Sequence, residues 1–257
     1  MSASDISDPA RLDRFARHIV LPEIGGAGQA ALTRSHVAII GLGGIGAPVL
    51  QYLAGAGVGT LTLVDDGEVE ASNLQRQTIY TTRDIGHGKA VSARRWLANF
   101  DDKLTAHIHD RRVDAGNAKS LIAEADLVVD GTDNFATRLA VSDACVAAHV
   151  PLLSAAIGRF QGQVAAFQGH LEDEPCYRCF VGDAFDAEDC DTCAEDGVLG
   201  AMVGWTGTFA AIQAVRILTA GSGHMGEPGW GKLHLMDGLK PAMRTLTIAK
   251  DAACKAC

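Results

Sequence analysis

The chain has 257 residues, 47% hydrophobic and 21% charged, which suits one soluble globular domain with a complete core. A formal charge of −9 argues against a nucleic-acid partner, which calls for a basic face. The N-terminus, MSASDISDPARLDRFARHIV, lacks a basic region leading into an apolar run, so no secretory signal is read there and the cytoplasm is the expected location.

Apolar positions Leu12, Phe15, Ile19 and Val20 predict a helix within the first 35 residues. The stretch VAIIGLGGIGAPVLQYLAGAGVGTLTLVDD (37–66) then predicts a strand at 36–41, a helix at 44–56 and a strand at 59–65. Pro48 fits the first turn of that helix, where its missing N–H costs little. A helix at 87–99 and a strand at 104–109 follow. ADLVVDGTDN (125–134) reads as a short buried strand ending in a polar turn, the usual place for a site in a parallel sheet. A helix at 134–148 and a strand at 151–156 complete the alternating part.

Beyond Gly158 the pattern changes, since GRFQGQVAAFQ alternates like an antiparallel strand and GKLHLMD (231–237) does the same. Between them, Gly197 to Val215 approaches the length of a membrane span but is Gly-rich and interrupted by Gln213. It predicts a buried helix with close backbone contacts rather than a membrane segment. No repeat, low-complexity tract or Pro/Ser-rich linker divides the chain. The predicted architecture is therefore a single domain over 1–257, α/β and Rossmann-like, with a mainly parallel sheet first and antiparallel strands after it.

Gly41-Leu-Gly43-Gly44-Ile-Gly46 lies between a strand and a helix, the setting of a phosphate-binding loop. Asp65, 19 residues after Gly46, ends the second strand where a carboxylate can accept hydrogen bonds from ribose hydroxyls. On these features alone an NAD- or FAD-dependent oxidoreductase stays open. SNLQRQ (72–77) then crowds polar side chains and a guanidinium where a redox ring needs room. Arg76 suits phosphate oxygens because its planar fork donates two hydrogen bonds at once. Lys89, at a predicted helix start, adds a second cation. No G-x-x-x-x-G-K-[ST] motif occurs, which excludes a P-loop NTPase. Seven cysteines without a secretion signal point to metal or catalytic use, and six fall in C-x-x-C pairs: Cys176–Cys179, Cys190–Cys193 and Cys254–Cys257. Two such pairs make a tetrahedral zinc signal. Cys145 stands alone in a predicted helix and reads as a buried apolar filler. The nine histidines are scattered without ligand spacing.

Taken together, Gly41–Gly46, Asp65, Ser72–Gln77, Lys89, GTDN (131–134) and the cysteine pairs resemble the MoeB/ThiF/HesA family, bacterial relatives of ubiquitin-activating enzymes. The resemblance runs from about Asp13 to Cys257 and lacks the C-terminal rhodanese domain of some longer relatives. It implies ATP-dependent adenylylation of the C-terminal Gly-Gly carboxylate of a ubiquitin-like sulfur-carrier protein (MoaD/ThiS type), for molybdopterin, thiamine or related sulfur transfer. A related tRNA-modifying dehydratase and a non-catalytic scaffold are the other readings. The residues implied for ATP are Gly41, Gly43, Gly44, Asp65, Ser72, Asn73, Leu74, Gln75, Arg76, Lys89, Asp133 and Asn134, with Gly44 packing under the nucleotide and Asp65 holding the ribose. Asn73, Arg76 and Lys89 would bind phosphates, and Asp133 would hold Mg2+ beside the α-phosphate. Arg17, in RFAR, matches an arginine that reaches the ATP of a partner subunit and so implies a homodimer. Alternatively, Asp133 is a helix N-cap and Arg17 a surface ion-pair residue.

The resemblance also selects among the cysteine pairs. EPCYRC and the terminal CKAC assign Zn2+ to Cys176, Cys179, Cys254 and Cys257, as a structural site with no open position. Cys193 takes the place of a cysteine able to accept the activated carrier as a thioester or acyl-disulfide. Its segment, Asp183 to Asp196, carries seven acids and no base. It reads as a mobile loop over the site, and such surroundings raise a thiol's pKa. For Cys190, a redox pair with Cys193 and alternative metal ligation are both open.

Overall fold

A computed structural model describes residues 8–182 and 197–257. One eight-stranded sheet organises them, in the order β3-β2-β1-β4-β5-β6-β7-β8. The strands are β1 (His36–Ile40), β2 (Thr60–Val64), β3 (Thr105–His109), β4 (Leu127–Asp130), β5 (Leu152–Gly158), β6 (Gln161–Phe167), β7 (Lys232–Asp237) and β8 (Ala242–Thr247). Neighbours from β3 through to β5 pair in parallel, and β5 to β8 pair antiparallel. The change of direction thus falls at β5, as the changed patterning after Gly158 predicts. Strand order reverses between β1 and β4, which opens a crevice at their carboxyl ends.

Both sheet faces are covered, so the central strands read as unbroken apolar runs. In β1, Val37 and Ile39 join one core with Leu61, Leu63 and Leu127, whereas Ala38 and Ile40 join a second core with Val64 and Val128. The helices are α1 (Pro9–Ile19), α2 (Gly25–Arg34), α3 (Gly46–Ala56), α4 (Lys89–Phe100), α5 (Ala118–Ile122), α6 (Phe135–Ala148), α7 (Tyr177–Val181) and α8 (Gly200–Leu218). Residues of α3, α4 and α8 fill the first core, and residues of α5 and α6 the second.

Helix α8 is the near-uncharged stretch of the sequence, and it lies against α3, β5 and β6. It is also the one helix among the described residues long and apolar enough for a membrane span. A Cβ on Gly207 would stand 2.3 Å from Pro48 Cγ, so α8 and α3 approach as closely as backbones allow. The interrupting Gln213 is buried and accepts a hydrogen bond from Arg216 Nη1 at 2.8 Å.

Several elements go beyond the sequence expectation. The N-terminal region forms two helices; the second, α2 (GGAGQAALTR), escapes the sequence reading because its three glycines lower its helix propensity. It buries Gly28, Gln29, Leu32 and Thr33, and Gln29 Nε2 donates to the Ala56 carbonyl at 2.8 Å. Strand β8 is exposed along its whole length and so lacks a one-sided apolar alternation.

Candidate functional site

The crevice is a cleft of about 490 Å³, lined by the glycine loop, the ends of β2 and β4, and the start of α8. Gly41 has φ +84°, and a Cβ there would stand 3.2 Å from the Gly131 carbonyl. On Gly46, a Cβ would fall 1.8 Å from the Gly41 oxygen. These contacts bend the chain from β1 into α3 and leave the loop backbone facing the cleft. A Cβ on Gly44 would meet Val203 of α8 at 2.9 Å, so Gly44 lets α8 close over the loop, whereas Gly43 has ordinary space.

Asp65 follows β2. Its Oδ2 accepts the Leu42 N–H at 2.6 Å and its Oδ1 the Gly67 N–H at 2.8 Å, which ties the glycine loop to the end of β2. Burial raises its pKa, opposed by nearby Lys89 and by those two N–H donors. Tyr80 fastens the other side, donating from its hydroxyl to the Leu42 carbonyl at 2.9 Å. Burial, then Asp65 and Asp84, push that phenol's pKa up, so it remains a neutral donor. Lys89 opens α4 with its N–H on the Gly67 carbonyl at 2.8 Å, which sets its ammonium beside Asp65.

Asn73, Arg76 and Gln77 of SNLQRQ line the cleft. Asn73 is buried; its Oδ1 accepts the Glu70 N–H at 3.2 Å. Arg76 folds back, donating to the Ser72 carbonyl at 3.0 Å. Ser72, Leu74 and Gln75 do not line the cleft. Ser72 bonds Glu70 on the surface, Leu74 packs on the first core, and the Gln75 carbonyl lies 2.4 Å from where a Gly200 Cβ would stand.

On the opposite wall is the turn after β4. Asp133 is exposed into the cleft, and among the described residues its carboxylate has no hydrogen-bond or ion-pair partner. Asn134, not Asp133, caps α6: its Oδ1 accepts the Thr137 N–H at 2.9 Å. A carboxylate without a partner among the described residues, in a cleft large enough for a whole small-molecule ligand, is the donor Mg2+ uses, since that ion takes one or two carboxylates and completes its shell with phosphate and water.

Arg17 lies on α1, exposed and away from the cleft, while Arg11 and Arg14 of that helix pair with Asp101 at 2.5 and 3.6 Å. Cys190 and Cys193 lie outside the described residues. Cys145 is buried in the second core, and burial pushes its thiol up. Sequence reasoning names Gln77 only as the end of SNLQRQ and passes over Tyr80, Arg112 and Arg138. Of these, Arg138 alone leaves a signal, as the one base within α6.

The four remaining cysteines meet at the other end of the second core. Cys176 Sγ lies 3.9 Å from Cys179 Sγ and 3.6 Å from Cys254 Sγ, and Cys179 Sγ lies 3.5 Å from Cys257 Sγ. All four sulfurs fall within 4.8 Å of one another. A tetrahedron with Zn–S bonds of ~2.3 Å sets sulfurs about 3.8 Å apart, so this donor set fits that ion. Lys250 Nζ holds the chain end here, donating to the Leu171 and Glu174 carbonyls at 3.3 and 3.2 Å.

A sequence profile described as the ThiF family matches residues 15–256. A sulfur carrier protein adenylyltransferase of Thermus thermophilus is 40% identical over 249 residues, covering 96% of this chain and 90% of the relative. The molybdopterin-synthase adenylyltransferase of Salmonella typhimurium is 39% identical over 254 residues, covering 99% of each. Among solved structures, E. coli MccB with MccA-N7isoASN superposes with a TM-score of 0.83 over 97% of this chain and 75% of that one; at 19% identity it speaks for the fold alone.

Proposed function

The chain belongs to the ThiF family, and on that premise we propose that it adenylylates the C-terminal Gly-Gly carboxylate of a ubiquitin-like sulfur-carrier protein. The observation that carries this reading is the free Asp133 carboxylate, set in one cleft with the glycine loop, Arg76 and Lys89. A carboxylate that attacks a phosphate must overcome like-charge repulsion, so cations placed where charge accumulates are the main requirement. An oxygen of the carrier's carboxylate forms a bond to the α-phosphorus of ATP. The bond from that phosphorus to the bridging oxygen breaks, and pyrophosphate leaves with the electron pair.

Each residue then has a task. The loop backbone from Gly41 to Gly44 faces the phosphates, and Asp65 keeps lone pairs for ribose hydroxyls beyond its two backbone donors. Lys89 and Arg76 offset the charge on the phosphates, Arg76 by releasing the Ser72 carbonyl. Asn73 braces the turn that presents Arg76. Asp133 would ligate Mg2+, which when bound supplies Lewis-acid stabilisation to the phosphates. Zn2+ would join Cys176 and Cys179 to Cys254 and Cys257, with a structural role because all four positions are protein thiolates.

Arg17 belongs to this scheme through a second copy of the chain: exposed and outside its own cleft, it would reach the partner's phosphates in a homodimer. Cys193 is our candidate to take the acyl group from the adenylate and release AMP. The whole chain is read as one cytoplasmic adenylation domain whose carrier serves molybdopterin, thiamine or related sulfur transfer. The test is ATP–pyrophosphate exchange with a panel of carriers ending in Gly-Gly. Exchange that depends on one carrier is the expected result, and silence from every carrier beside active controls contradicts the reading.

A further inference from the structure

Arg138 lies in the first turns of α6, is 5% exposed, and lines the cleft beside the turn that carries Asp133. Its Nη1 donates to Ser154 Oγ at 3.2 Å, and its Nη2 donates to the Ala155 carbonyl at 2.9 Å and to the Thr132 carbonyl. All three acceptors are neutral. Among the described residues, no carboxylate lies within ion-pair distance of this guanidinium. Holding a cation out of water on neutral acceptors is unfavourable, so a residue with a purely packing role would ordinarily be apolar here.

The same turn is gripped from its other side. Asp130 Oδ1 accepts the Thr132 N–H at 2.9 Å and the Thr132 hydroxyl at 2.7 Å. Donor and acceptor of Thr132 are thus fixed by two buried, oppositely charged side chains. Two residues further on, Asn134 is fixed as the cap of α6. The Asp133 side chain, between them, has no hydrogen-bond or ion-pair partner among the described residues, and there the flanking residues set its place.

We propose that Arg138 is a positioning residue: it ties the Asp133 turn to β5 through the Thr132 and Ala155 carbonyls, and its guanidinium, in no direct ion pair among the described residues, favours anions over that part of the cleft. The proposal rests on the reading of Asp133 as a ligand of the Mg2+ that accompanies ATP. Arg138→Lys separates the two parts, because lysine keeps the charge but has no planar fork to bridge acceptors on two elements.

The experiment is equilibrium binding of a fluorescent ATP analogue, titrated with Mg2+, to wild-type protein, Arg138→Lys and Ser154→Ala, with thermal unfolding alongside. For Arg138→Lys, metal-free ATP affinity is unchanged. The Mg2+ concentration for half-maximal enhancement rises about 10- to 100-fold, the usual effect of losing a residue that orients a metal ligand. The kcat of carrier-dependent exchange falls with it at unchanged carrier KM. Ser154→Ala, which removes one neutral acceptor, moves the Mg2+ midpoint the same way by less. A wild-type Mg2+ midpoint in Arg138→Lys overturns the proposal, as does an equal loss of metal-free and Mg2+-dependent binding, which marks a structural role only. If Arg138→Lys does not fold, an unmoved midpoint in Ser154→Ala overturns it. Wild-type protein that binds MgATP yet activates no carrier contradicts the adenylylation reading, while the Mg2+ midpoints still decide on Arg138. Wild-type protein without Mg2+-dependent ATP binding contradicts both.

Discussion

In the cleft, Asp65, Lys89 and Asp133 stand on three different elements, yet contacts made by nearby backbone hold each in place. Asp65 is held by Leu42 and Gly67 N–H groups, Lys89 by Gly67, and Asp133 by the gripped turn before α6. The cysteine cluster is built the other way: Cys176 and Cys254 meet across 78 positions of sequence through their thiols, with the Lys250 bonds to the Leu171 and Glu174 carbonyls tying the chain end nearby. Burial pushes the Cys176 thiol up, and a bound metal would offset that by accepting the thiolate. One region is preorganised by hydrogen bonds that form without a ligand, whereas the other is completed by its ligand. Damage to the two should therefore look different.

The largest effect is expected at the loop. Gly46→Ala drives a methyl group into the Gly41 carbonyl, 1.8 Å away, and neither backbone can yield without unbending the β1–α3 turn. ATP-induced thermal stabilisation should vanish, and wild-type stabilisation would show that the loop is not preorganised as described. Asp133→Ala should come next: folding is intact because the side chain has no partner among the described residues, but exchange falls by at least about 100-fold. Near-normal exchange in that variant removes Asp133 from the chemistry.

At the cysteine cluster, the zinc proposal predicts that a strong chelator or Cys254→Ser removes metal from the purified protein and lowers Tm by about 2–4 °C for each kcal/mol lost. ATP binding should persist, as read by the same fluorescent analogue. Loss of ATP binding together with the metal would erase the distinction between the two regions. Asn134→Ala should be milder, costing about 1 kcal/mol through the lost α6 cap, with a modest fall in exchange. The smallest change belongs to Ser72→Ala, which removes a surface bond to Glu70 and a long 3.4 Å bond from Asn73 Nδ2, and should stay within about 0.5 kcal/mol of wild type in denaturant melts.

Much of this was legible in the sequence, for physical reasons that differ by element. The parallel half declares itself because its central strands β1, β2 and β4 are buried on both faces and the helix starts carry a glycine or cap. The switch to antiparallel pairing shows in the alternation of GRFQGQVAAFQ. Helix α2 and strand β8 were not legible: glycines weaken the helical signal of the one, and full exposure removes the alternation of the other. Within the site, the charged residues stand out as motifs, but their supports do not. Tyr80 reads as one more apolar position, and Arg138 as one charge in a helix. Their roles depend on which carbonyls the fold places in front of them. Ser72, Leu74 and Gln75 show the converse, since a motif six residues long turns only some of its side chains toward the cleft.

The central claim is activation of a free C-terminal carboxylate, and intact-mass measurement of the carrier reads it directly. The carrier is incubated with this protein, ATP and Mg2+, beside the same carrier lacking its final glycine. The account predicts a mass gain of one adenylyl group on the Gly-Gly-ended carrier, absent from the truncated one and absent with Asp133→Ala. An adduct on the truncated carrier, or no adduct on any carrier while ATP still binds, would contradict it.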